Sequence, residues 1–231
     1  MSEILIQTKK MSKYYPAGDG QFAALKDVTL DFRQGEFAGI VGPSGSGKTT
    51  LLNIIGSLDT QSEGEVLVLG KEISTLTPKQ SAELRSHHIG FIFQTYNLLP
   101  VYTVYENVEF PLLLLKMSDE DRKKAVMEAL TWVGLTDKIK SRPDQLSGGQ
   151  SQRVAIARAM VKKPQIVLAD EPTANLDTEN SMNVLEAMQK INAELGTTFI
   201  FSTHDAKVIG FLKRKITLVD GQVASDVTNG A

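Results

Sequence analysis

Phe37-Ala38-Gly39-Ile40-Val41-Gly42-Pro43-Ser44-Gly45-Ser46-Gly47-Lys48-Thr49-Thr50 is the stretch on which the reading of this 231-residue chain turns. Its first five residues read as a short buried strand, and the eight from Gly42 to Thr49 match G-x-x-x-x-G-K-[ST] without adjustment. A helical pattern follows over residues 48–57, so the motif sits between strand and helix, the context it requires. The glycines let the backbone curl around a phosphate, and the helix start presents free N–H groups to anionic oxygens. Lys48 is placed to reach the β- and γ-phosphates of a nucleotide, and the Thr49 hydroxyl to ligate Mg²⁺. The nucleotide-contacting set read here is Gly42, Pro43, Ser44, Gly45, Ser46, Gly47, Lys48, Thr49 and Thr50.

A second stretch completes that chemistry. Ile166-Val167-Leu168-Ala169-Asp170-Glu171 is a continuous apolar run of the kind found in buried parallel strands, ending in two acids. Asp170 at the strand end can hold Mg²⁺ directly or through water. Glu171 can act as general base on the attacking water.

Around these lie further strands over residues 4–9 (an edge or surface strand), 22–32 after a turn at 16–20, 64–69, 89–93 and 198–202. A hairpin over 216–219 and 222–224 closes around Asp220-Gly221. Apolar periodicity predicts helices over 119–133, 150–161 and 178–195. No linker or repeat divides the chain. Residues 94–163 read as a helical insertion in one nucleotide-binding domain spanning 1–231, whose core and β-subdomain occupy about 1–93 and 164–231.

Composition narrows the function. With 25 basic and 27 acidic side chains the net charge is −2, so a phosphate-backbone binder is disfavoured and no direct nucleic-acid partner is expected. Cysteine is absent, which excludes disulfides, thiolate metal sites and a cysteine nucleophile. Glu3, Lys9, Lys10 and Lys13 interrupt any secretory leader. The strongest apolar run, residues 110–115, is far short of the roughly 20 residues that span a bilayer. A membrane role would go through a partner.

Leu146-Ser147-Gly148-Gly149-Gln150, followed by Ser151-Gln152-Arg153-Val154-Ala155-Ile156-Ala157-Arg158-Ala159, resembles the signature of the ATP-binding-cassette ATPases. Physically, Ser147 and two glycines before a helix make a second anion-binding start. The resemblance implies that Ser147, Gly148, Gly149 and Gln150 cap the γ-phosphate held by a second copy of the chain, sandwiching two ATP molecules in a head-to-tail dimer. Gln94 looks like the Q-loop glutamine, which senses Mg²⁺ or the water and contacts a transporter subunit. Ala174-Asn175-Leu176-Asp177 looks like the D-loop, with Asp177 at the dimer interface. His204, in Ser202-Thr203-His204-Asp205, looks like the switch histidine that contacts the γ-phosphate. Tyr15 is taken as the aromatic that stacks on adenine, with Tyr14 its close competitor. His87 and His88 have no partner at metal-ligand spacing. The implied fold is an α/β P-loop NTPase of the cassette type: a RecA-like mixed-sheet core, an N-terminal antiparallel β-subdomain and an inserted α-helical subdomain.

Within the family, Ile89-Gly90-Phe91-Ile92-Phe93-Gln94, Tyr96-Asn97-Leu98-Leu99-Pro100 and Thr103-Val104-Tyr105-Glu106-Asn107-Val108 resemble the MacB/LolD branch. That branch works with four-helix permeases bearing large extracytoplasmic domains, in lipoprotein release or in macrolide or peptide export. The resemblance implies an ATPase on the cytoplasmic face of the inner membrane, held there by its permease. A cell-division cassette of the FtsE kind and a soluble, non-transport ATPase are the alternatives. Ala174 stands where the branch more often has glycine and Ser151 where it has glutamine, and neither change removes a catalytic group. Leu98, Leu99, Val101, Tyr102 and Val104 are many apolar side chains for a segment that reads as a loop; they pack the insertion, line a docking groove, or do both, since a groove needs walls and floor.

Overall fold

The structure is a computed structural model and describes residues 2–18 and 20–228. Its centre is a six-stranded sheet in the order β10-β9-β3-β8-β7-β6. The strands are β3 (Phe37–Val41), β6 (Ile89–Ile92), β7 (Ile166–Asp170), β8 (Thr198–Thr203), β9 (Arg214–Val219) and β10 (Gln222–Thr228). β9-β3-β8-β7-β6 pair in parallel, and β10 returns antiparallel on β9. All five residues of β3 and the first four of β7 are buried, as their unbroken apolar runs require of strands covered on both faces.

Alternation along these strands sorts the core into two layers. Phe37, Val41, Val167, Ala169, Phe199 and Phe201 pack against helices α5 (Gly148–Met160), α6 (Thr178–Leu195) and α7 (Ala206–Phe211) through Val154, Ile156, Val184, Met188 and Val208. Ala38, Ile40, Ile166, Leu168, Ile200 and Leu218 face the other way. They meet helix α1 (Lys48–Ile55) and an antiparallel sheet in the order β2-β1-β4-β5. That sheet comprises β1 (Ile4–Ala17), β2 (Gly20–Arg33), β4 (Glu63–Val68) and β5 (Lys71–Glu72).

Several of the differences from the sequence reading have physical causes. β1 is an interior strand, paired with β2 on one side and β4 on the other, and it runs eight residues beyond the expected end. Its weak alternation hid this, because buried Thr8 serves the core by donating its hydroxyl to the Val28 carbonyl at 3.1 Å. Helix α2 (Pro78–His88) carries Leu84 as its one buried residue, so it leaves no apolar period to read. The segment after Gln94 contains a short helix, α3 (Val104–Glu109), started by a reciprocal cap between Thr103 and Glu106. The expected turn at 16–20 shrinks to two residues, of which Gly18 has φ 57° and Asp19 lies outside the described residues. Helix α4 (Asp119–Trp132) packs with α3 and α5 through Val126, Ala129 and Leu130. Among the described residues no helix is long and apolar enough to cross a membrane.

Candidate active site

The parallel strands deliver the site residues to one end of the sheet. β3 ends at Val41 and the chain turns through Gly42 to Gly47 before α1 begins at Lys48. Gly47 caps that helix in the left-handed region, at φ 98°, and a Cβ there would lie 2.5 Å from the Ala24 carbonyl oxygen. Only glycine meets both demands. The Lys48 side chain folds back along the loop and its ammonium donates to the carbonyls of Gly42 and Pro43, both at 2.9 Å. Among the described residues the buried Ser46 hydroxyl has no hydrogen-bond partner, an orphaned donor in the wall of a loop shaped to receive anions.

Next to β3 in the sheet, β8 and then β7 bring the acids to the same end. The Thr49 hydroxyl lies 3.2 Å from Asp170 Oδ2 and 3.4 Å from Oδ1. One hydroxyl and one carboxylate at this separation are hard oxygen donors suited to Mg²⁺, which takes its remaining ligands from phosphate and water. Glu171 departs from the strand with φ 46°, an uncommon conformation for a residue with a side chain, while its N–H donates to the Ser202 carbonyl at 2.8 Å. Glu171 Oε1 is 2.6 Å from His204 Nδ1, and Oε2 accepts from the Thr203 hydroxyl at 3.1 Å. The carboxylate is largely enclosed, whereas the histidine ring is mostly exposed.

A cavity of about 260 Å³ runs from the loop to the β-subdomain, lined by Tyr15, Phe22, Ala24, Gly45, Gly47, Lys48, Thr49 and Thr50. Tyr14 does not line it, because neighbouring residues on a strand point to opposite sides; its hydroxyl instead donates to Glu63 at 3.3 Å. Tyr15 donates to Asp59 Oδ2 at 2.8 Å, and Lys13 holds Asp59 Oδ1 at 2.7 Å while lying over the Tyr15 ring. Burial, then the Asp59 bond, raises the Tyr15 phenol above its ordinary value. Sequence reading missed Phe22, which is 56% exposed at the cavity mouth. An exposed aromatic just after the turn was its one available signal.

No residue of 147–150 lines this cavity. Ser147 and Gly148 are exposed at the start of α5, where the Ser147 hydroxyl accepts from the Gln150 N–H and Gln150 Oε1 accepts from the Ser147 N–H. The Gln150 side chain is thus occupied as a cap. Gly149 packs directly on α6, with a Cβ there placed 2.2 Å from Asn180 Oδ1. Asp177 caps α6, accepting from the N–H and side-chain amide of Asn180, and the first of these bonds leads in holding its carboxyl below the usual range.

Gln94 follows β6 and is exposed. Its carbonyl accepts from Asn175 Nδ2 at 2.8 Å, tying it to the 174–177 segment. Tyr96 and Asn97 both have positive φ, 61° and 50°, and both carbonyls are gripped by Arg158 of α5, at 2.7 and 2.6 Å. Of the apolar residues after Gln94, Val104 is buried in α3, Leu98 packs on the helical core, and Leu99 lines an open groove of about 490 Å³. Packing and groove coexist.

A profile of the family described as ABC transporter matches residues 25–174. The chain belongs to the ABC transporter family. It is 44% identical over 223 residues to MJ0796 of Methanocaldococcus jannaschii, an uncharacterized ABC transporter ATP-binding protein, with 95% of each chain covered. It is 42% identical to the lipoprotein-releasing system ATP-binding protein LolD of Francisella tularensis, over 96% of this chain and 97% of that one. It is 43% identical to the macrolide export ATP-binding/permease protein MacB of Pasteurella multocida, covering 98% of this chain and spanning about a third of the relative (35%). The fold matches a dimeric structure of the MJ0796 cassette with a TM-score of 0.90 at 43% identity, over 98% and 99% of the two chains. A post-hydrolysis dimer of MJ0796 bound to ADP and Pi matches with a TM-score of 0.89 at 42% identity, over the same shares. This cassette is an ATP-binding protein and an ATPase, with the α/β cassette fold that the motifs imply.

Proposed function

We propose that this cassette powers a membrane complex of the lipoprotein-release or export kind, closing on ATP as a head-to-tail dimer and moving a separate permease. The observation that carries the reading is the division of the site. The phosphate loop, Thr49, Asp170, Glu171 and His204 converge at one end of the sheet, while Ser147 and Gly148 stand exposed away from that cavity. A second anion-binding helix start with no anion site in its own chain is completed by a second copy, as the dimeric MJ0796 cassettes support.

In this mechanism ATP displaces the Lys48 ammonium from the Gly42 and Pro43 carbonyls and takes it onto the β- and γ-phosphates. The N–H groups from Gly45 to Thr50 and the Ser46 hydroxyl surround the phosphates, and Tyr15 stacks on the base. Thr49, Asp170 and Gln94 would hold Mg²⁺, which would neutralise charge on the phosphate oxygens. Glu171 accepts the proton of the attacking water, and His204, hydrogen-bonded to it at 2.6 Å, orients that carboxylate and contacts the γ-phosphate. Ser147, Gly148, Gly149 and Gln150 of the partner copy and Asp177 close the site. The permease sits on the groove beside Gln94, placing the cassette on the cytoplasmic face of its membrane. The LolD and MacB likeness supports that class of permease.

Glu171→Gln tests the chemistry. ATP binding is retained, hydrolysis slows at least about 100-fold, the scale of general base catalysis, and the ATP-bound dimer accumulates on a sizing column. Hydrolysis at the wild-type rate would remove Glu171 from the role of base.

A further inference from the structure

The Tyr15 ring is tethered as well as placed. Its phenol donates to Asp59 Oδ2 at 2.8 Å, and Asp59 Oδ1 accepts from the Lys13 ammonium and the Thr60 N–H, both at 2.7 Å. Lys13 adds a bond to the Thr60 carbonyl at 2.7 Å and lies over the Tyr15 ring, 5.0 Å from its centroid. Lys13 does not line the cavity, so its ammonium backs the ring from outside. Exposure separates this pair from ordinary surface pairs, which are worth little. The Lys13 side chain is 12% exposed, against 40 to 72% for the other lysines in ion pairs among the described residues. Burial works to raise the Asp59 carboxyl, but the bonds from Lys13, Thr60 and Tyr15 outweigh it and hold the group below its ordinary value. With the Tyr15 phenol raised, donor and acceptor both keep their states through neutral pH.

The far side of the tether is the phosphate helix. Asp59 follows the end of α1 by four residues, and the N–H groups of Leu58 and Asp59 donate to the Asn53 carbonyl inside that helix, at 2.8 and 3.2 Å. The other end of α1 is Lys48, where the phosphate loop enters it. One carboxylate thus joins a ring on β1 to the helix that begins at the phosphates. We propose that Asp59 is a positioning residue for nucleotide binding, tying the Tyr15 ring to α1 so that base and triphosphate are met at one fixed separation. The inference rests on the stacking role given to Tyr15 above and deepens it. Once the triphosphate is seated, the base is already at high local concentration over the ring, and a ring held in advance loses little freedom on stacking.

The test is titration calorimetry on the full chain with ATP and, as a ligand without a base, inorganic triphosphate, each with Mg²⁺. Tyr15→Phe keeps the ring and cuts the tether; Asp59→Ala cuts it from the other side, after a thermal-unfolding check. Each variant is expected to weaken ATP at least threefold and leave inorganic triphosphate within twofold. The double variant should fall no more than twofold below the weaker single one, because both changes remove the same bond. ATP affinity unchanged in Tyr15→Phe, losses that multiply in the double variant, or an equal loss for inorganic triphosphate would each overturn the proposal. If Asp59→Ala fails to fold, Tyr15→Phe with the two ligands decides alone. Tyr15→Ala distinguishes the two layers. Wild-type ATP affinity there removes the stack itself, whereas a loss in Tyr15→Ala with none in Tyr15→Phe keeps the stack and discards the tether.

Discussion

Tyr14 and Tyr15 are one residue apart and chemically identical, yet the strand sends them to opposite sides. Tyr15 shares a cavity with Lys48 and Thr50, while Tyr14 reaches toward Glu63. Tyr15→Ala is therefore expected to weaken ATP binding at least fivefold, the scale of one lost aromatic–base stack of about 1–3 kcal/mol. Tyr14→Ala should leave affinity within twofold, and titration with a fluorescent ATP analogue separates them. Asp59, which fixes Tyr15, lies 44 residues away in sequence, so no local pattern could have named it. Gln94 and Asn175 were each named from their own motifs, but their contact joins residues 81 apart and no local pattern could have shown it. Lys162 makes a prediction in pH. Its value of about 8 lies below the 10.5 of a free lysine, so between those values the unfolded chain holds the extra proton. Stability then rises with pH across about 8 to 10.5 from this group, and the contribution is lost as pH falls to 8. Denaturant unfolding at pH 8, 9 and 10 should show wild type gaining on Lys162→Met by about 1 kcal/mol per pH unit. Parallel curves would mean that Lys162 is not desolvated.

At the scale of elements, legibility followed burial. β3 and α6 stand where their apolar patterns put them, because both carry core residues at the period of their geometry. The helices that escaped notice are short or polar: α2 with one buried residue, and α7 with only Val208 buried. For α3 the signal was present in Thr103 and Glu106, three residues apart, but the apolar side chains around it read as loop. Its cap is strong, with the Thr103 N–H and hydroxyl both donating to Glu106 Oε2 at 2.7 Å and the Glu106 N–H returning to the Thr103 hydroxyl. Buried Asn107 adds three side-chain bonds to the carbonyls of Leu99, Tyr102 and Thr103. Thr103→Ala should cost about 1 kcal/mol in the unfolding free energy. An unchanged denaturation midpoint would show that Asn107 alone anchors the segment.

For the whole molecule, the two halves of the proposed site can be broken separately. Lys48→Ala disables the phosphate loop, and Ser147→Arg obstructs the start of α5. Each variant alone should be inactive in phosphate release. In a head-to-tail pair, mixing them creates dimers in which one site carries both defects and the other carries neither. Activity should therefore reappear on mixing, and two inactive proteins that stay inactive together would argue against the shared site. One feature of α5 reaches further. Ser147 stands at its start and Arg158 eleven residues on, about 16 Å along a helix, with its fork closed on the Tyr96 and Asn97 carbonyls. The helix is thus a stiff rod held at one end by the turn that follows Gln94. In the proposed dimer, a tilt imposed where the other copy presses on Ser147 would be handed to that turn without any side chain in between having to rearrange. Because the grip is on carbonyls rather than a carboxylate, its release would strand no buried negative charge, and in the proposed cycle that turn could open and re-form with each round of ATP.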